Sequence, residues 1–229
     1  MPELDVGEHD FIDLGAGDGG SLPIGYRRFA GTCGVGIELD ERKVAAAVRG
    51  EATVRLGDAT SLDVAAASVR FVTMVDFLEH LPSLAAVERT IESAARAARD
   101  FLFISHPSFE GKPYLTQLGL RQYWWHWTGH KSHVTIADYL AMFDRLGLHS
   151  YMIRNVGPVH SSSHPTILGT GEPKNQFEFD PAVHSPRPSV EFAQPLWRLQ
   201  EIFIALRPLE PAEWAAVTRP RSSPSSPRR

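Results

Sequence analysis

The chain has 229 residues, 43% of them apolar, and a formal net charge of −4. That length and apolar content suit one globular domain with its own core, and the acid excess argues against a phosphate backbone as main partner, because nucleic-acid affinity rests on neutralising many phosphates. A single cysteine, Cys33, excludes an intrachain disulfide and points to a reducing, cytoplasmic setting; no stretch reaches the ~20 apolar residues of a membrane span, and the start at Met1 lacks the pattern of a signal peptide.

In chain order, Asp10–Leu14 reads as a short strand that runs into Gly15, Gly17, Gly19 and Gly20, with a helix from about Ser21. A second strand, Val35–Glu38, leads to Asp40, placed to cap a helix over Glu41–Arg49. A third strand, Ala52–Leu56, ends at Gly57 and Asp58, and a fourth, Val69–Val75, ends at Asp76. Leu84, Val87, Ile91, Ala94 and Ala98 recur at spacings of three and four, which predicts a helix with one apolar stripe. Phe101–Ser105 is the fifth strand, stopped by Pro107. An aromatic insertion fills 107–134. Thr135 and Asp138 then form a capping box for a helix with Ile136, Tyr139, Leu140, Phe143 and Leu146 on one face, closed by Gly147. Leu148–Val156 is the sixth strand, 157–190 a long loop rich in Ser, His, Pro and Gly, and the last strand falls within Gln200–Leu206.

This alternation predicts an α/β, Rossmann-like domain over 1–218. It has a mostly parallel seven-stranded sheet, helices on both faces and ligands at the C-terminal strand ends. Residues 219–229, all Arg, Pro and Ser, read as a disordered tail. Cys33 reads as a small buried residue.

The glycine loop allows two fingerprints. Gly15, Gly17 and Gly20 satisfy the dinucleotide pattern, whereas Asp13 with Gly15, Gly17 and Gly19 satisfies another; in both, glycines let backbone N–H groups approach a ligand at a helix N-terminus. Glu38, about twenty residues on, suits a ribose diol in either case. On these residues alone an NAD-dependent oxidoreductase stands as a rival.

Four segments in order, Asp13–Gly19, Gly36–Asp40, Gly57–Ala59 and Asp76–Pro82, resemble the motifs of class I S-adenosylmethionine-dependent methyltransferases of the small-molecule type. The resemblance runs from about Asp10 to Gly147. It implies S-adenosylmethionine as cofactor, with the loop headed by Asp13 placing Gly15, Gly17 and Gly19 against its methionine part. Glu38 would hold the ribose, Asp58 and Ala59 would read the adenine, and Asp76 would lie near the methyl. Asp58 and Asp76 also read simply as caps of the turns that follow them.

Methyl transfer to a hydroxyl needs an aligned acceptor and a proton acceptor. His106, directly after the fifth strand, is the first choice of base and His133 the second; His106 reads equally as bonding a backbone group at a strand end. Glu79 and His80 read as organisers of their loop. Tyr123, Trp124, Trp125 and Trp127 form either the wall of an acceptor pocket or a plug under a lid. His126, His130 and His133 are spaced as ligands but lack cysteines or acids beside them, so no metal set is assigned. A divalent metal held by Asp76 and His106 is the arrangement the strand ends permit.

The family's usual helical cover ahead of the first motif has only about ten residues here. The insertion, the 157–190 loop or a second subunit of a homodimer is expected to take its place. The asparagine–proline motif of amino-group members is absent after the fourth strand, which favours oxygen. The expected activity is O-methylation of a small-molecule acceptor such as a sugar or phenol, with no nucleic acid and no membrane as partner. The alternatives are a binding module without turnover and an RNA methyltransferase, the latter opposed by the lack of a basic cluster.

Overall fold

The computed structural model describes residues 6–50, 52–173, 178, 180–184 and 187–220. Its elements follow in the order β1 (Phe11–Leu14), α1 (Leu22–Phe29), β2 (Gly34–Glu38), α2 (Glu41–Arg49), β3 (Val54–Leu56), β4 (Val69–Val75), α3 (Leu84–Ala97) and β5 (Ala98–Pro107). The second half holds α4 (Lys112–Gln117), β6 (Leu120–Gln122), α5 (Ile136–Leu146), β7 (Tyr151–Ser161), β8 (Ile167–Gly169), β9 (Glu191–Ala205) and α6 (Pro211–Val217). The seven-stranded sheet has the order β3-β2-β1-β4-β5-β9-β7. β1 to β5 pair in parallel, and β9 runs antiparallel to both neighbours. The expected Rossmann-like architecture is present. The reversal of order between β1 and β4 places a crevice at their C-terminal ends.

Side chains alternate across each strand, so two cores form. On one face Ile12, Leu14, Val35, Ile37, Val72 and Ile104 meet Val87 and Ile91 of α3 and Tyr139 and Phe143 of α5. On the other, Phe11, Phe71, Phe101, Phe103 and Phe203 lie under α1 and α6. Register explains this second core. Phe11 stands opposite Phe71, and Phe71 opposite Phe101, so their rings stack at 4.9 Å with interplanar angles of 4° and 6°. Cys33 is exposed, not buried. The inward position belongs to Gly34, where a Cβ would come within 2.1 Å of the Phe11 ring.

The capping expectations hold locally. Asp40 accepts from Arg42 N, Thr135 and Asp138 form the reciprocal box, and Gly147 takes φ 68°. Long-range pairing is where structure departs from expectation. β9 has fifteen residues instead of a short strand within Gln200–Leu206, because it pairs along almost its whole length with β7. The loop expected over 157–190 contributes the end of β7 and β8, which pairs with β6 of the insertion. Residues 221–229 of the expected tail lie outside the described residues. Among the described residues no helix is long and apolar enough to cross a membrane.

Candidate active site

The glycine loop leaves β1 in a conformation that other residues adopt only with strain. Gly15, Gly17 and Gly19 have φ of 70°, 59° and 93°. At Gly15 the space is closed as well, since a Cβ would meet the Phe77 ring at 2.1 Å.

Asp13 lies under this loop, fully buried. It accepts from Thr73 Oγ1 at 2.6 Å and from Ser21 Oγ, so it ties β1 to β4 and to the start of α1. Ser21 thereby gives its hydroxyl to Asp13 instead of capping α1. Burial pushes the Asp13 carboxyl up to about 6. The folded chain therefore holds a proton that the unfolded chain releases near pH 4, and stability falls as pH rises from about 4 to about 6. Asp13→Asn, which keeps the shape and both hydroxyl contacts, is expected to flatten this fall, on the order of 3 kcal/mol, in urea unfolding at pH 4 and pH 7. An unchanged pH slope would show that Asp13 ionises freely.

A cleft of about 590 Å³ opens over the C-terminal ends of the parallel strands. Gly15, Glu38, Asp58, Ala59 and Asp76 line it, with Ile37, Leu39, Phe77 and Leu81 as apolar wall. Gly17 joins through its N–H, which donates to Glu38 Oε2 at 3.0 Å, while Gly19 packs toward Ala52. Glu38 Oε1 accepts from Leu39 N and Asp40 N, each at 2.9 Å, so backbone donors fix the carboxylate at the cleft. Asp58 caps its turn, Oδ1 accepting from Thr60 N and Oγ1 at 2.8 Å, and also faces the cleft. Asp76 sits at φ 48°, a left-handed conformation that costs a non-glycine residue of order 1 kcal/mol or more and clusters at functional sites.

The insertion supplies part of the cover. Gly129 and Lys131 line the same cleft. Their segment is clamped to the loop after β4: Lys131 N and Ser132 N donate to Glu79 O at 2.8 and 3.0 Å, and Ser132 Oγ donates to Leu81 O at 2.8 Å.

A second cleft of about 280 Å³ shares Asp76 and His80 with the first. Its other lining includes Glu79, His130, Tyr123, Trp124, Trp127 and Arg198. Tyr123, Trp124 and Trp127 line this cleft, and Trp124 and Trp125 are both buried in the cluster around Phe109 and Leu115.

His106 and His133 stand outside the lining of both clefts. His106 is fully buried, with Nδ1 2.8 Å from the Pro107 carbonyl, and burial drives its pKa down to about 4. His133 stacks on Phe109 at 4.4 Å with Nδ1 3.2 Å from Lys112 Nζ; burial and that ammonium lower its pKa. The histidines at the second cleft are His80 and His130. Among the described residues, His130 is the one insertion histidine that joins a set of three converging ligating side chains. That set is Glu79, His80 and His130; Asp76 lines both clefts and His106 neither. Sequence reasoning missed Glu79 and His130 as site residues. The available signal was an acid and a histidine beside Asp76, but the partner lies some fifty residues away.

Residues 12–100 match the family model described as a methyltransferase domain. Among functionally curated proteins none matches the chain in sequence. A methyltransferase dependent on S-adenosylmethionine from Archaeoglobus fulgidus is similar in structure, with a TM-score of 0.58 at 14% identity over 85% of each chain. A Thermotoga maritima methyltransferase of the same dependence gives 0.54 at 16% identity, over 87% of this chain and 83% of that one. The magnesium protoporphyrin IX methyltransferase of Synechocystis, solved with S-adenosylhomocysteine, gives 0.51 at 16% identity over 88% and 75%. At such identities these likenesses speak to the fold.

Proposed function

We propose that the chain is a class I S-adenosylmethionine-dependent methyltransferase, a reading supported by the match of residues 12–100 to a methyltransferase-domain model, and that it methylates a hydroxyl group of a small molecule bound in the second cleft. The observation that carries this reading is the junction of two clefts at Asp76 and His80, one lined by Glu38, Asp58 and an apolar wall and the other walled by aromatic rings.

The larger cleft fits the cofactor. Its volume lies within the ordinary range for such ligands; Glu38 offers a carboxylate to a ribose diol, Ile37, Leu39 and Phe77 offer apolar surface to a flat base, and Asp58 with Ala59 stands at its edge. Gly15 keeps that surface open where a side chain has no room. When bound, S-adenosylmethionine supplies an electrophilic methyl group on a sulfonium.

The chain's own work is orientation and proton removal. Tyr123, Trp124 and Trp127 fix the acceptor and exclude water. At that cleft we assign the hydroxyl proton to the Asp76 carboxylate, which borders both clefts, instead of to His106 or His133.

Calorimetric titration with S-adenosylhomocysteine, with NAD as control, followed by a panel of phenols, sugars and amines, tests the reading. Micromolar binding of the sulfur compound and turnover of a hydroxylated acceptor support it; binding of NAD alone refutes it. Trp127→Ala is expected to raise the acceptor KM about tenfold with little change in kcat, because it removes surface that holds substrate and transition state alike. A loss confined to kcat would place Trp127 at the reacting atoms instead.

A further inference from the structure

We propose that Glu79, His80 and His130 form a binding site for a divalent transition-metal ion, such as zinc, at the edge of the second cleft. Ligating atoms of the three side chains lie within 4.8 Å of one another. Glu79 is 1% exposed and His130 7% exposed, and both Glu79 carboxylate oxygens and His130 Nδ1 are buried without a hydrogen-bond partner. A buried carboxylate with both oxygens unsatisfied is costly, and a group of such orphans at one point marks a ligand that completes them.

The surroundings prepare the ligands. His80 Nδ1 lies 3.0 Å from the Gly129 carbonyl, so it donates there and the neutral ring turns the lone pair of Nε2 outward, the arrangement that fixes metal-binding histidines. The His80 and His130 rings meet edge to face at 4.9 Å. The backbone clamp from Lys131 and Ser132 to Glu79 O holds the segment that carries His130 against the loop that carries Glu79 and His80. A tetrahedral ion needs ligand atoms about 3.4 Å apart, so the set closes by about 1.4 Å at most, within reach of side-chain rotation.

Two imidazoles and one carboxylate suit zinc, cobalt, iron or manganese; magnesium and calcium favour all-oxygen sites. Three protein ligands leave a position open to the cleft. Resting on the methyltransferase reading, the role of the ion is to bind the acceptor hydroxyl and lower its pKa. The O–H bond breaks, its electron pair stays on the metal-bound oxygen, and the proton passes to the Asp76 carboxylate, which borders both clefts.

The test uses the tag-free full chain after chelation and dialysis, titrated with Zn²⁺ by calorimetry and with Co²⁺ by visible absorption. One ion per chain with micromolar or tighter affinity is expected, with cobalt bands of four- or five-coordinate geometry. Glu79→Gln and His130→Ala should each weaken binding at least about a hundredfold, while His126→Ala, an exposed histidine of the same insertion, should not. Neither Glu79 nor His130 lines the larger cleft, so retained S-adenosylhomocysteine binding shows that the variants fold; should Glu79→Gln fail to fold, His130→Ala carries the test. Absence of zinc and cobalt binding, or binding indifferent to both substitutions, overturns the proposal. Zinc bound where S-adenosylhomocysteine is not would keep the metal site and remove the methyltransferase reading.

Discussion

Glu38→Ala is expected to weaken S-adenosylhomocysteine binding by about a hundredfold or more. The carboxylate faces the larger cleft with both oxygens held by backbone donors. A ribose diol bound there gains two hydrogen bonds to a charged group, each worth about 1.5–3 kcal/mol, and every 1.4 kcal/mol is about a tenfold change in affinity. The same oxygens hold the N–H groups of Gly17, Leu39 and Asp40, so their loss also loosens the glycine loop. Asp58→Ala is expected to have a smaller effect, near tenfold, because one hydrogen bond to the adenine is at stake there against two to the diol at Glu38. Calorimetry on the two variants and the parent protein decides the matter. Equal affinity in parent and Glu38→Ala would move the nucleoside away from β2.

The site was legible in sequence where chemistry is local. Gly15, Glu38, Asp58, Ala59 and Asp76 each end or follow a strand, and a parallel sheet brings such positions to one edge whatever lies between them. The caps at Asp40 and Thr135 were legible for the same reason, since the partner groups stand two or three residues away. What stayed hidden depends on pairing across distance. The β7–β9 hairpin joins Val159 to Leu196 and Ser161 to Glu191 through segments whose side chains are largely half-exposed, so no apolar run announces them. His130 reaches Glu79 only because the insertion folds back over the loop after β4. His106 illustrates the converse: its position after a strand pointed to the crevice, but strand alternation sent the ring into the core beside Tyr139 and Phe109.

Glu201→Ala is expected to destabilise the fold by about 3–5 kcal/mol, the cost of stranding buried charges. Glu201, itself fully buried, binds Arg28 bidentately at 2.7 and 2.9 Å and also pairs with Arg154 of β7. The Arg28 guanidinium lies 4.6 Å from the Phe103 ring centroid and 5.1 Å from that of Phe203, so removal of the carboxylate leaves two cations on an aromatic surface with little water. A shifted urea midpoint with an unchanged slope would register the loss, and Glu201→Gln should recover part of it by keeping one acceptor. The consequence extends to function because Glu201 sits on β9 opposite Ser105 of β5 and Arg154 of β7, three residues beyond Arg198, which lines the second cleft. The acceptor KM is therefore expected to rise in Glu201→Gln while S-adenosylhomocysteine binding, built on β1 to β4, stays close to that of the parent protein. If the two affinities fell together, the sheet would be transmitting the strain as one unit and the second cleft would have no separate dependence on the hairpin.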